Sequence, residues 1–111
     1  MDRIEQYQQI IIDIFNEYAQ IPYRYGEIKK EIIVNREATR YLLLSIGWQK
    51  DQRIHSCMIH IDIIDGKLWI QNDNTEYGVA TDLQRHGVPH DHIVLGFRQP
   101  NLRKYSGYAV E

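Results

Sequence analysis

Cysteine is almost missing from this chain. Cys57 stands alone among 111 residues, so no intrachain disulfide can form and a reducing compartment fits. An excess of either charge sign is missing too. Thirteen Lys and Arg oppose fifteen Asp and Glu, a net charge of −2 that excludes the broadly basic footprint of an autonomous nucleic-acid binder, though not a local patch. There is no apolar run long enough to span a bilayer. The opening Met1-Asp2-Arg3-Ile4-Glu5 has periodic rather than continuous apolar residues, so it lacks the core of a signal peptide, and a cytoplasmic protein is expected. Repeats, low-complexity tracts and linkers are lacking, which leaves one expected domain over 1–111.

What is present is ordinary globular material: 43% apolar and 25% charged residues, enough to close one core and too apolar for a disordered chain. Tyrosine is the exception, with eight copies against two Phe. Its ring packs while its hydroxyl stays wet, which suits half-buried surfaces and interfaces.

Residues 2–20 are predicted to be a helix. Ile4, Tyr7, Ile11, Ile14, Phe15 and Tyr18 recur at spacings of three and four, Asp2 and Glu5 resemble a capping box, and Pro22 ends the element. Four strand candidates follow. In the first, 28–34, Ile28, Ile32 and Val34 share a face with Lys30 among them. In the second, Leu42, Leu44, Ile46 and Trp48 alternate with Tyr41, Leu43, Ser45 and Gly47. In the third, Cys57, Ile59, Ile61 and Ile63 alternate with Ser56, Met58, His60 and Asp62, and in the fourth Leu68 and Ile70 oppose Trp69 and Gln71.

Turn chemistry sets the register. Asp65-Gly66 is a type I′ hairpin signal that pairs Ile64 with Lys67, Ile63 with Leu68 and Ile61 with Ile70. A tip at Gln49-Lys50-Asp51-Gln52 pairs Trp48 with Arg53, Leu44 with Cys57 and Leu42 with Ile59. The expected core face therefore carries Leu42, Leu44, Cys57, Ile59, Ile61, Ile63, Leu68 and Ile70. The opposite face carries Tyr41, Leu43, Ser45, Met58, His60, Asp62, Trp69 and Gln71, too apolar at its centre for ordinary solvated surface. Thr75 is placed to cap a second helix through about His86, with Val79, Ala80 and Leu83 inward and Gly87-Val88-Pro89 as its stop. Ile93 to Phe97 reads as a fifth strand, and Tyr105, Tyr108 and Val110 as tail anchors. The expected fold is α+β: an antiparallel meander of four to five strands against an N-terminal helix, with a short helix after the fourth strand.

Candidate chemistry is sparse. His86, His90 and His92 invite a metal-dependent hydrolase, but their spacing matches no familiar ligand motif and a solvated loop is the stronger reading. His60 and Asp62, two apart beside Trp69, form a conceivable acid–base pair, equally explained as polar residues on a half-buried sheet. Asp73 to Glu76 suits a helix start and is too poor in oxygen ligands for a calcium loop. Cys57 reads as an inert packing residue. Arg98, Arg103 and Lys104 beside Tyr105 are the nucleic-acid-contact candidates, a patch of three charges that more often makes a solvated tail. The second sheet face is the leading candidate: Tyr41, Leu43, Met58, His60 and Trp69 are expected at a self-association or partner interface, with Trp69 as anchor. No cofactor, metal site or catalytic residue is assigned.

The run His60-Ile61-Asp62-Ile63-Ile64-Asp65-Gly66-Lys67-Leu68-Trp69-Ile70-Gln71, followed by Asp73-Asn74-Thr75-Glu76, resembles the XisI family, excision controlling factors of the fdxN element. Gly87-Val88-Pro89, Asp91-His92-Ile93-Val94-Leu95-Gly96-Phe97 and the ending Arg103-Lys104-Tyr105-Ser106-Gly107-Tyr108-Ala109-Val110 are similar to it as well, and the likeness covers essentially the whole chain. Bulky Tyr77 and the His-rich turn after Pro89 depart mildly from it. The resemblance implies a cyanobacterial accessory protein for site-specific excision of a DNA element during heterocyst differentiation. It also implies a companion protein, XisH, and work alongside a recombinase, with no catalytic residues to carry over. The expected function is a non-enzymatic controlling factor acting through protein contacts, as a homo-oligomer. Direct DNA binding through the C-terminal basic patch and a His-cluster hydrolase are the alternatives.

Overall fold

A computed structural model describes residues 2–22 and 26–111. Helix α1 (Arg3–Ala19) starts where Asp2 caps it, its carboxylate accepting from the Glu5 N–H at 2.8 Å. The predicted apolar stripe buries Tyr7, Ile11, Ile14 and Phe15 against a sheet. The five strands, β1 (Glu27–Val34), β2 (Arg40–Gln49), β3 (Gln52–Ile64), β4 (Lys67–Asp73) and β5 (Ile93–Leu95), lie side by side in chain order. The first three pairings are antiparallel, as expected. The last is parallel: β4 passes through α2 (Val79–Arg85) before the chain returns as β5, so the sheet is mixed.

Both hairpin registers read from turn chemistry hold at their tips. Asp65 and Gly66 have φ of +51° and +77°, the type I′ combination, and Ile64 pairs with Lys67, Ile63 with Leu68 and Ile61 with Ile70. Trp48 pairs with Arg53 and Leu44 with Cys57. Beyond that point the expectation fails. Leu43 pairs with Ile59 and Leu42 with His60, because Met58 is an extra residue in β3. A bulge advances the strand by one, which exchanges the faces of everything after it. The carbonyls it displaces are satisfied from the end of β4 and the residue after it: the Asn72 and Asn74 side-chain amides donate to the Cys57 carbonyl at 2.9 and 3.1 Å, and the Asn74 N–H to that of Met58 at 2.9 Å. A second irregularity leaves Gln71 unpaired between Ile70 and Asn72.

The correction concerns β2. Tyr41, Leu43 and Ser45, expected on the outer face, are buried beneath α1 beside Ile59, Ile61 and Ile63. The Tyr41 hydroxyl donates to the Ala38 carbonyl at 2.8 Å. Met58 is half-buried and packs against the same core. Leu42, Leu44 and Ile46, expected inside, are half-exposed and stand outside the core cluster. Lys30, the odd residue on the inner face of β1, reaches the end of α1, where its ammonium donates to the Tyr18 and Ile21 carbonyls at 2.8 and 2.7 Å. Burial there lowers its pKa.

Helix α2 is shorter than expected and is not capped by Thr75 alone. Asp73 accepts from the Thr75 N–H and hydroxyl through Oδ1 and from the Val79 N–H through Oδ2, while Thr75 Oγ1 accepts from Gly78. Its end is the expected stop. Gly87, at φ +102°, donates to Gln84 and Val88 to Leu83, and Val88 is buried.

Candidate functional site

The two faces of the sheet are covered differently. One lies under α1 and α2, whose Val79, Ala80 and Leu83 join the core. Among the described residues, the other is covered over β4 and β5. Here the chain after β5 folds back, with Ala109 bridging Val94 and its N–H donating to the Ile93 carbonyl at 2.9 Å. Val94 is fully buried yet outside the main core, as expected for a side chain beneath the returning tail.

Arg103 holds that tail. Its guanidinium lies 5.0 Å from the centre of the Trp69 ring and donates to the carbonyls of Arg98, Gly96 and Val110 at 3.1–3.4 Å. Trp69, the expected interface anchor, thus serves the monomer, and Arg103 is committed to carbonyls and a ring. Arg98 and Lys104 remain exposed, each beside a neighbouring aromatic ring, Phe97 and Tyr105. Of the expected tail anchors, Tyr108 packs against the core whereas Tyr105 is 76% exposed and Val110 points largely to solvent.

The histidines do not converge. His86 Nε2 donates to Glu17, His92 Nδ1 is hydrogen-bonded to the Tyr7 hydroxyl at 2.6 Å, and His90 is exposed. Among the described residues no three His, Cys, Asp or Glu side chains are grouped to hold a metal ion. The alternative of a metal-dependent hydrolase built on His86, His90 and His92 therefore loses its geometry.

His60 and Asp62 do come together on the outer face. His60 Nε2 donates to Asp62 Oδ1 at 2.8 Å, and the Gln71 amide to Oδ2 at 3.3 Å, so a largely buried carboxylate is satisfied from both sides. Cys57 is half-buried, its thiol donating to the Ile59 carbonyl at 3.4 Å, and burial raises its pKa. That favours the protonated thiol, and Cys57 stands outside the core cluster on whose side it was expected.

Among the described residues, the outer side of β1, β2 and β3 carries a half-exposed apolar surface. Ile33, Leu42, Leu44, Ile46 and Trp48 form a continuous stripe, with Ile33 and Trp48 44% and 50% exposed. Polar residues flank it on both sides: Glu27, Lys29 and Glu31 on β1, and Arg53, His55 and His60 on β3. Arg53 lies 5.2 Å over the Trp48 ring, which keeps its charge on this face. The alternation of β2 alone points Leu42, Leu44, Ile46 and Trp48 inward, because it carries the phase of β3 across the bulge. The available signal was the pair Asn72 and Asn74, side-chain amides placed where a displaced carbonyl needs donors.

The geometry defines a class: a small α+β scaffold, one helical layer on a mixed five-stranded sheet, with a half-exposed apolar stripe on its outer surface. The chain belongs to the XisI protein family, whose model matches residues 1–110. Two crystal structures from Anabaena variabilis ATCC 29413 are similar along their whole length. A XisI-like protein is 34% identical with a TM-score of 0.87, covering 99% of this chain and 100% of its own. The fdxN element excision controlling factor XisI is 25% identical with a TM-score of 0.82, again covering 99% and 100%. A search of curated proteins finds no match.

Proposed function

We propose that this chain is a non-enzymatic controlling factor for site-specific excision of a DNA element, working through protein contacts made by the outer face of β1 to β3. Family membership and the end-to-end likeness to an excision controlling factor support the biological role. The observation that carries the mode of action is the half-exposed stripe of Leu42, Leu44, Ile46 and Trp48, set against His60, His86 and Arg103, whose side chains are spent on internal hydrogen bonds. An apolar patch with a charged rim and an aromatic at its margin is what a protein partner reads. The partners that fit the role are a companion of the XisH type and, through it, the recombinase machinery.

The test is co-purification with the product of the neighbouring gene, comparing the wild type with Leu44→Asp. The substitution lies on the solvent side of β2 and should leave the thermal melt within a few degrees. Loss of the companion together with loss of the excised-junction product supports the proposal. A variant that binds and excises like the wild type sinks it.

A further inference from the structure

Beyond the carboxyl end of β5 the chain turns at once. The Arg98 N–H donates to the Leu95 carbonyl at 3.1 Å, and Pro100–Tyr105 then form a 3₁₀ helix. With three residues per turn, side chains three apart eclipse, so Leu102 and Tyr105 share one edge of that helix. Arg103 stands on the next edge and holds the tail to Trp69. Leu102 and Tyr105 are left 46% and 76% exposed. They are not scattered surface residues. With Leu95, Arg98, Ser106 and Tyr108 they line one open pocket of about 450 Å³, within the size range of small-ligand sites.

The polar groups of that pocket are spent, with two exceptions. Ser106 Oγ donates to the Arg103 carbonyl at 2.7 Å and accepts from the Tyr108 N–H at 3.0 Å, and the Tyr108 hydroxyl donates to Gln84 at 2.9 Å. These bonds fix the wall. The Arg98 guanidinium lies 5.6 Å from the centre of the Phe97 ring and makes no hydrogen bond among the described residues, and neither does the Tyr105 hydroxyl. A ligand therefore meets apolar and aromatic walls and one ionised group. A guanidinium presents two parallel N–H donors, the geometry that matches a carboxylate. One cation balances a monoanion but leaves a phosphate dianion half neutralised. Lys104 is turned onto the Tyr105 ring and is not part of the lining.

We propose that this pocket binds a small carboxylate with an apolar or aromatic body, the carboxylate on Arg98 and the body against Leu102, Tyr105 and Tyr108. Such a group is carried by a free organic acid and by the C-terminal residue of a protein chain, and the chemistry of recognition is the same for both. The site stands apart from the outer stripe of β1 to β3: it opens past the last residue of β5 and shares no lining residue with that stripe. Its walls are open to solvent, so a dissociation constant on the order of 1 mM is expected for a ligand of this size.

Amide shifts in the NMR spectrum of isotope-labelled protein provide the test, with 3-phenylpropionate and acetyl-glycyl-seryl-phenylalanine as probes, each beside its carboxamide. Both carboxylates should move the signals of Arg98, Leu102, Tyr105 and Tyr108, and the carboxamides should bind about tenfold or more weakly. Arg98→Gln should weaken both acids by a similar factor and leave the thermal melt within a few degrees, because its side chain holds nothing internal. A tripeptide that binds about fivefold or more tightly than the small acid assigns the natural ligand to a chain end, and a smaller difference assigns it to a free acid. Silence from both acids up to about 20 mM overturns the site. So do carboxamides that equal the acids, or an Arg98→Gln protein that binds like wild type. AMP that outbinds both carboxylates overturns it too, since the pocket then serves a phosphate. The companion reading is independent of all these results and rests on Leu44→Asp, at a residue outside this pocket.

Discussion

Arg103 shows how far a side chain's role depends on what the fold places beside it. In sequence it is one of three basic residues in a tail. In the structure it stacks on Trp69 and takes three backbone carbonyls of the same returning segment. Arg103→Ala should lower unfolding stability by about 1–2 kcal/mol in urea, and Arg103→Lys should recover only part of that, because an ammonium lacks the planar fork. Trp69→Ala should likewise destabilise the monomer. With Arg103 committed, Arg98 and Lys104 are what the tail can offer a phosphate backbone. The log–log salt slope of any duplex binding through it should be no steeper than about −2, and a slope near −4 or beyond would restore direct DNA binding. Tyr18 gives a pH prediction. Its hydroxyl donates to Asp82 at 2.5 Å, and its pKa is pushed up to about 12, first by burial and then by that carboxylate. The native state therefore holds this proton where the unfolded chain, titrating near 10, has lost it. The contribution to stability is complete below pH about 10 and disappears as pH rises toward 12. Tyr18→Phe should remove a phenol titrating near 12 from an absorbance titration and flatten the alkaline fall in stability.

Elements were legible wherever the signal is local. Asp2 and the apolar spacing marked α1, Asp65-Gly66 marked the β3–β4 turn, and Gly87-Val88 marked the end of α2, each because one short stretch of backbone dictates its own residues. Two features escaped. The parallel seat of β5 depends on α2 crossing the sheet, which three residues of strand cannot announce. The bulge escaped because Met58 has no propensity that separates it from a paired residue. What settles its place is the amides of Asn72 on the next strand and of Asn74 just beyond its end. Close approach sets a sharper limit at Gly47, where an added Cβ would sit 2.0 Å from the Glu27 carbonyl oxygen. Gly47→Ala should push β1 from β2 and cost about 2–3 kcal/mol in denaturant unfolding. Asp73→Ala, which strips α2 of its remote cap, should cost about 1–3 kcal/mol and show first as lost hydrogen-exchange protection over Val79 to Leu83.

At the scale of the molecule, the sheet is a partition between two surfaces with different obligations, one owed to the helices and one shared between the tail and the exposed stripe. An outer face with apolar character was legible in the sequence; its membership was not. Tyr41 and Leu43 lie within the core and Trp69 beneath Arg103, while Leu42, Leu44 and Ile46 stand outside. All three displacements trace to β3 changing phase at one residue and to the tail returning from afar. The bulge has a consequence for inheritance. In a saturation library, tolerance along β3 should not alternate evenly from end to end. The sensitive positions should be even-numbered before the bulge, as at Ile54, and odd-numbered after it, at Ile59, Ile61 and Ile63. Deletion of Met58 should then be far less viable than its replacement by another apolar residue, because loss of one codon would turn half a strand inside out.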